Sequence, residues 1–128
     1  MGPAPGVHAQ IEVDAPTSGM QVCPLEEVTG KIEGPALDSS KGELWIVVHP
    51  KRVGDCWVQN PVSVAPDGHW SGYANFGNPI AEHDGLPFEF KVMALTTKPT
   101  VGKIVCWPTT SWVSAVVTVS RRPTSQCK

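Results

Sequence analysis

Five tryptophans, four cysteines and four histidines are the side chains best equipped for chemistry in this chain. Trp45 and Trp57 stand out because each falls on the polar side of an alternating segment. In Glu43–His49, Leu44, Ile46 and Val48 oppose Trp45, Val47 and His49. In Asp55–Val64, Cys56, Val58, Val62 and Val64 oppose Asp55, Trp57, Gln59 and Ser63. If the Pro50–Gly54 turn sets His49 opposite Asp55, then Val47 faces Trp57 and Trp45 faces Gln59. One outer face then gathers Trp45, Val47, His49, Asp55, Trp57 and Gln59, and the neighbouring strand adds Tyr73 and Asn75. Two indoles beside hydrogen-bonding groups can stack a sugar ring or anchor a protein partner. The competing expectation is that a loop or the second sheet covers these indoles. A one-residue slip would dissolve the cluster, because side chains alternate faces along a strand.

Other chemistry is less well supported. Cys23, Cys56, Cys106 and Cys127 lie 33, 50 and 21 residues apart, with no Cys-x-x-Cys. Zinc sites usually use closely spaced ligand pairs, so disulfides are expected rather than a metal, with buried free thiols as the alternative. Four cysteines allow three connectivities. The preferred one joins Cys23 to Cys127, tying the carboxyl end to the start of the second strand. That leaves Cys56 with Cys106 by elimination. Paired disulfides imply an oxidising compartment. His8, His49, His69 and His83 have no metalloenzyme spacing. Glu82-His83-Asp84 offers carboxylates to a cation but reads better as solvated loop charge. Neither Gly-x-Ser-x-Gly nor a phosphate-binding Gly-rich loop is present. Lys51-Arg52 and Arg121-Arg122 read as solvating basic pairs. No metal or cofactor is expected.

The elements that must position these residues are β-strands. Glycine and proline total 25 of 128 residues and leave only three uninterrupted runs longer than eight. Proline costs a helix interior ~3 kcal/mol and glycine ~1, which leaves helices little room. Thirty-one residues are β-branched, 17 of them valine. Such side chains suit a pleated surface. Seven segments alternate with period two: Ala9–Asp14, Glu26–Glu33, Glu43–His49, Asp55–Val64, His69–Phe76, Phe88–Thr96 and Thr110–Ser120. Ala65-Pro66-Asp67-Gly68 reads as a hairpin turn, Pro50–Gly54 as a second, and Thr97–Thr109 as irregular. Trp70 falls on an apolar face and reads as core. Trp107 and Trp112 flank Pro108 and read as edge packing. Seven one-sided strands are buried most simply as two sheets pressed face to face.

Ile11-x-x-x-x-Pro16-x-x-Gly19 followed by Val28-x-Gly30 resembles the opening of bacterial immunoglobulin-like modules. Val64-x-Pro66-Asp67-Gly68-x-Trp70-Ser71 is similar to their Asp-Gly-x-Trp-Ser hairpin, and Ala115–Arg121 to their closing strand. The resemblance spans residues 9–122 in outline. It implies an immunoglobulin-like antiparallel sandwich of about seven strands, serving as a spacer, adhesive unit or appended binding domain. The family shares no catalytic site, so no functional residue carries over. The four cysteines and extra tryptophans depart from the usual pattern.

Length and charge bound the rest. One domain fits 128 residues. Residues 1–8 and 123–128 are expected to be loose ends, the latter tied by a disulfide. Ten basic against twelve acidic residues argue against a nucleic-acid partner. No apolar run reaches the ~18 residues a membrane span needs. Met1–Gln10 lacks the charged start and apolar stretch of a leader and reads as the start of a mature domain with an added Met. The expected function is a non-enzymatic extracytoplasmic module for adhesion, spacing or protein binding. The alternative is a carbohydrate-binding module stacking sugars on Trp45, Trp57 and Tyr73. A small sandwich enzyme is a third and weaker reading.

Overall fold

The computed structural model describes residues 11–32, 43–95, 102–107 and 113–127. Among them ten strands form two packed sheets: β1 (Ile11–Ala15), β2 (Gln21–Val22), β3 (Leu25–Ile32), β4 (Glu43–Pro50), β5 (Asp55–Pro61), β6 (Ser63–Val64), β7 (His69–Asn75), β8 (Pro87–Leu95), β9 (Gly102–Val105) and β10 (Val117–Arg121). One sheet runs β1-β3-β7-β6 and the other β2-β10-β8-β4-β5-β9. Neighbours are antiparallel except β2, which runs parallel to β10. The fold is the expected all-β sandwich.

Alternation explains the layers. On β3 and β7, Val28, Gly30, Ile32, Trp70 and Ala74 point inward, while Glu27, Lys31 and Tyr73 point to solvent. Gly30 pairs with Trp70, and a Cβ there would collide with the Trp70 indole and the Glu12 carbonyl. A large ring in the core therefore needs the smallest residue opposite it. The facing sheet contributes Leu44, Ile46, Val48, Phe88, Phe90, Val92, Val117 and Val119. Phe76 packs edge-on against Phe88 and Phe90 at 5.8 Å, a geometry that suits the ring quadrupoles.

Both expected hairpins are present. Gly68 has φ +96°, which side chains larger than hydrogen rarely tolerate, and its N–H closes onto the Ala65 carbonyl at 2.9 Å. Asp67 accepts the His69 N–H at 3.0 Å. Between β4 and β5, Val53 N–H donates to the Pro50 carbonyl at 3.1 Å.

Four strand expectations need correcting. Asp55–Val64 is two strands: the chain leaves one sheet after Pro61, Val62 donates its N–H to the Leu44 carbonyl, and Ser63–Val64 joins the other sheet. Thr97–Thr109 is not wholly irregular, because Gly102–Val105 pairs along β5. The last strand begins at Val117; Val113 makes a single bridge to Met93, and residues 110–112 lie outside the described residues. The two-residue β2, too short to alternate, was not anticipated. Among the described residues the total is ten strands rather than about seven. Residues 1–8 also lie outside the described residues.

Both disulfides join the expected partners. Cys23–Cys127 closes a separation of 104 residues and Cys56–Cys106 one of 50, with Cα–Cα distances of 5.7 and 5.0 Å.

Candidate functional site

The register of β4 against β5 decides where the chemistry lies. Val47 pairs with Val58 and Val48 with Trp57, one residue away from the expected register. Continued, that register sets Pro50 against Asp55, so the connecting loop is Lys51–Gly54 and β4 runs one residue longer than expected. A bulge between Trp45 and Val47 then sets Trp45 against Pro61. Cross-strand partners share a face. Trp57 and Gln59 therefore point into the space between the sheets, and Trp45, Val47, Cys56 and Val58 point out of it.

The expected surface patch does not exist. Trp45 is 1% exposed, in a second apolar cluster with Val47, Cys56, Val58 and Met93. Ile104, Cys106, Trp107 and Val113 pack over that cluster. The cover comes from the segment after β8, held down by β9 and by the Cys56–Cys106 bridge. Trp45 Nε1 is buried without a hydrogen-bond partner among the described residues. This indole is core, and the covering expectation is the one that holds. Trp107 packs there as edge filler; Trp112 lies outside the described residues.

The remaining expected site residues are dispersed. His49 is half-buried on the outer face, its Nδ1 2.8 Å from Glu89 Oε1 and its Nε2 2.6 Å from the Val53 carbonyl. Both oxygens are acceptors, so meeting both takes an N–H on each ring nitrogen. Trp107 stands edge-on to His49 at 5.8 Å, and Lys91 Nζ lies 4.5 Å from the Trp107 ring centre. Asp55 begins β5 opposite Val105. Tyr73 is 60% exposed on the outer face of the other sheet, beside Glu27. It cannot extend a platform built on β4 and β5.

Trp57 and Gln59 instead help to form a cleft of about 470 Å³ at one end of the sandwich. Val48, Val53, Leu86 and Phe88 give it an apolar lining; Gln59, Asn75, Asn78, His83 and Arg52 give it polar groups. Trp57 is half-buried there. Gln59 is nearly buried and fixed at both ends of its amide. Oε1 accepts the Asn75 N–H at 3.0 Å, and Nε2 donates to the Trp57 carbonyl at 3.2 Å. The first bond spans from β5 to β7 and so ties the two sheets together at the cleft.

The loop from Phe76 to Leu86 forms one wall, and Arg121 holds it. The expectation that Arg121 is solvated is overturned: the residue is 0% exposed. Its Nη1 donates to the carbonyls of Phe76 and Asn78 at 2.8 and 2.9 Å. Its Nη2 donates to Thr124 Oγ1 at 2.7 Å and approaches Asp84 Oδ1 at 3.4 Å. Asp84 Oδ1 also accepts the Thr124 hydroxyl at 2.7 Å and the Thr124 backbone N–H at 2.8 Å. The two Thr124 bonds, and more weakly the Arg121 charge, hold the Asp84 carboxyl below its usual value. Asp84 is thus a clamp between loop and tail. The sequence carried a signal for Arg121: it shares the parity of the inward-pointing Val117 and Val119.

His83 lines the same wall. The Asn78 N–H donates to its Nδ1 at 2.8 Å, which leaves the ring hydrogen on Nε2. The chain matches no family model, no curated protein and no solved structure. Two disulfides point to an oxidising setting. No helix among the described residues is long and apolar enough to cross a membrane.

Proposed function

We propose that this chain is a non-enzymatic, extracytoplasmic immunoglobulin-like module that binds a partner through the cleft at the end of its sandwich. The strand order supports the immunoglobulin-like reading. β1-β3-β7-β6 corresponds to the A-B-E-D sheet, and β10-β8-β4-β5 to G-F-C-C′, with β2 and β9 as additions. The two disulfides support the compartment.

One observation carries the binding role: Trp57 stands half-buried at the cleft, while Trp45 and Trp70 are enclosed. An indole left partly open beside the fixed Gln59 amide costs apolar exposure and offers a stacking surface. The described lining has amides, an imidazole, a guanidinium and apolar groups, which bind by contact and hydrogen bonding. The carbohydrate-binding alternative draws on the same pairing of one indole with Gln59, Asn75 and Asn78; the three-ring platform it first invoked is dispersed.

The experiment is an array of glycans and peptides probed with the oxidised chain and two variants. Bound features should vanish with Trp57→Ala and persist with Tyr73→Ala. Features that survive Trp57→Ala contradict the cleft as the binding site.

A further inference from the structure

We infer that the cleft takes a ring-bearing carboxylate, with the ring against Trp57 and the apolar lining, and the carboxylate held by donors on the polar side. The inference rests on reading the cleft as the binding site and adds the ligand's chemistry. Its first ground is charge. Among the described residues, the ionisable ones that line the cleft are Arg52 and His83; Asp55, Glu82 and Asp84 are not in its lining. Asp84 on the same loop is already occupied by Thr124 and Arg121. A guanidinium in a cleft whose described lining holds no carboxylate favours an anionic guest, and charge-assisted bonds from it are the strong ones.

The second ground is the direction of hydrogen bonding. Gln59 spends one amide hydrogen on the Trp57 carbonyl, and Nε2 keeps a second that meets no partner among the described residues. Its carbonyl oxygen is meanwhile engaged by Asn75. His83 Nδ1 is engaged by the Asn78 N–H, so the free nitrogen is the one bearing hydrogen. Two fixed side chains therefore have their acceptor ends tied and a donor hydrogen unspent. Such a wall suits carboxylate oxygens, which only accept. The third ground is size. About 470 Å³ lies within the range of small-molecule clefts, roughly 300–1,000 Å³, and is small for a folded partner's surface.

An acidic sugar and an aromatic acid share this chemistry, and one titration separates them. The ¹⁵N-labelled, oxidised chain is titrated with sodium glucuronate and with benzoate, each beside its uncharged amide, glucuronamide and benzamide. The Trp57 indole N–H is identified by its loss in Trp57→Phe. At least one acid should shift that resonance saturably, and the matching amide should bind about tenfold more weakly or worse. Arg52→Gln, an exposed change at a hairpin, should remove most of that discrimination. Which acid moves the resonance names the source. Equal binding of acid and amide at Trp57 overturns the carboxylate inference while leaving the cleft as a binding site. An unmoved Trp57 resonance with both acids overturns it too. The cleft reading itself falls separately, when array features survive Trp57→Ala.

Discussion

Trp57 pairs with Val48, and that single register places an indole between the sheets instead of on the outside of one. The alternative partner, Val47, lies on the face closed by Ile104, Cys106 and Trp107. The cleft and the second core are therefore two consequences of one alignment. Moving β5 by a residue would exchange Trp57 and Gln59 for Cys56 and Val58.

The tryptophans should separate by role. Trp70→Ala should cost ~3–5 kcal/mol as a core truncation, and Trp45→Ala a similar amount. Trp57→Ala should cost roughly 1 kcal/mol, because a half-buried ring loses less contact. Urea denaturation of the three variants checks the order. An equally large loss at Trp57 would make it core.

Arg121 should behave as a structural pin. Arg121→Met keeps bulk but leaves the Phe76 and Asn78 carbonyls without their donor, which should cost about 3 kcal/mol. Backbone amide exchange should speed up across residues 76–86 and 122–127 more than in β3 or β4. A uniform change would contradict a local clamp.

Acid should loosen the same clamp. The Asp84 carboxyl sits below its usual value because Thr124 bonds its charged form. A depressed native value adds stability that is complete above the unfolded value, near pH 4, and is lost as pH falls through the native one. Asp67, lowered mainly by the backbone N–H of His69, acts with the same sign. Thr124→Val should therefore flatten, not abolish, the fall in stability as pH drops below about 4. An unchanged slope in that variant would remove Asp84 from the account.

The two disulfides should have different local effects. Intact mass before reduction should lie four hydrogens below the reduced mass, two for each bridge. Replacing either pair by serine should cost ~2–5 kcal/mol. Loss of Cys56–Cys106 should also open Trp45 to acrylamide quenching, since that bridge holds the cover of the second cluster. Loss of Cys23–Cys127 should leave Trp45 shielded and free the tail.

The layers were legible because they rest on alternation within single segments. Val28 and Ile32, or Phe88 and Phe90, carry their facing in their own spacing. The Asp67-Gly68 turn and Trp70 were legible for the same local reason. The site was not, because it depends on a relation between strands. One residue more in β4 moved Trp57 to the other face, and no pattern within either strand reports the length of the turn between them. A cover over Trp45 was among the expectations, but its source was not legible, because β9 is a short strand whose partner lies far back in the chain. Arg121 was read by its charge, although its parity with Val117 and Val119 already pointed inward.

The most direct test is where the Trp57 ring protons lie. A nuclear Overhauser spectrum of the oxidised chain should link them to the Val48 methyls and the Phe88 ring, which share the cleft. Links to the Val47 methyls and the Trp107 ring instead would return the indole to the outer face and leave the cleft without its aromatic wall.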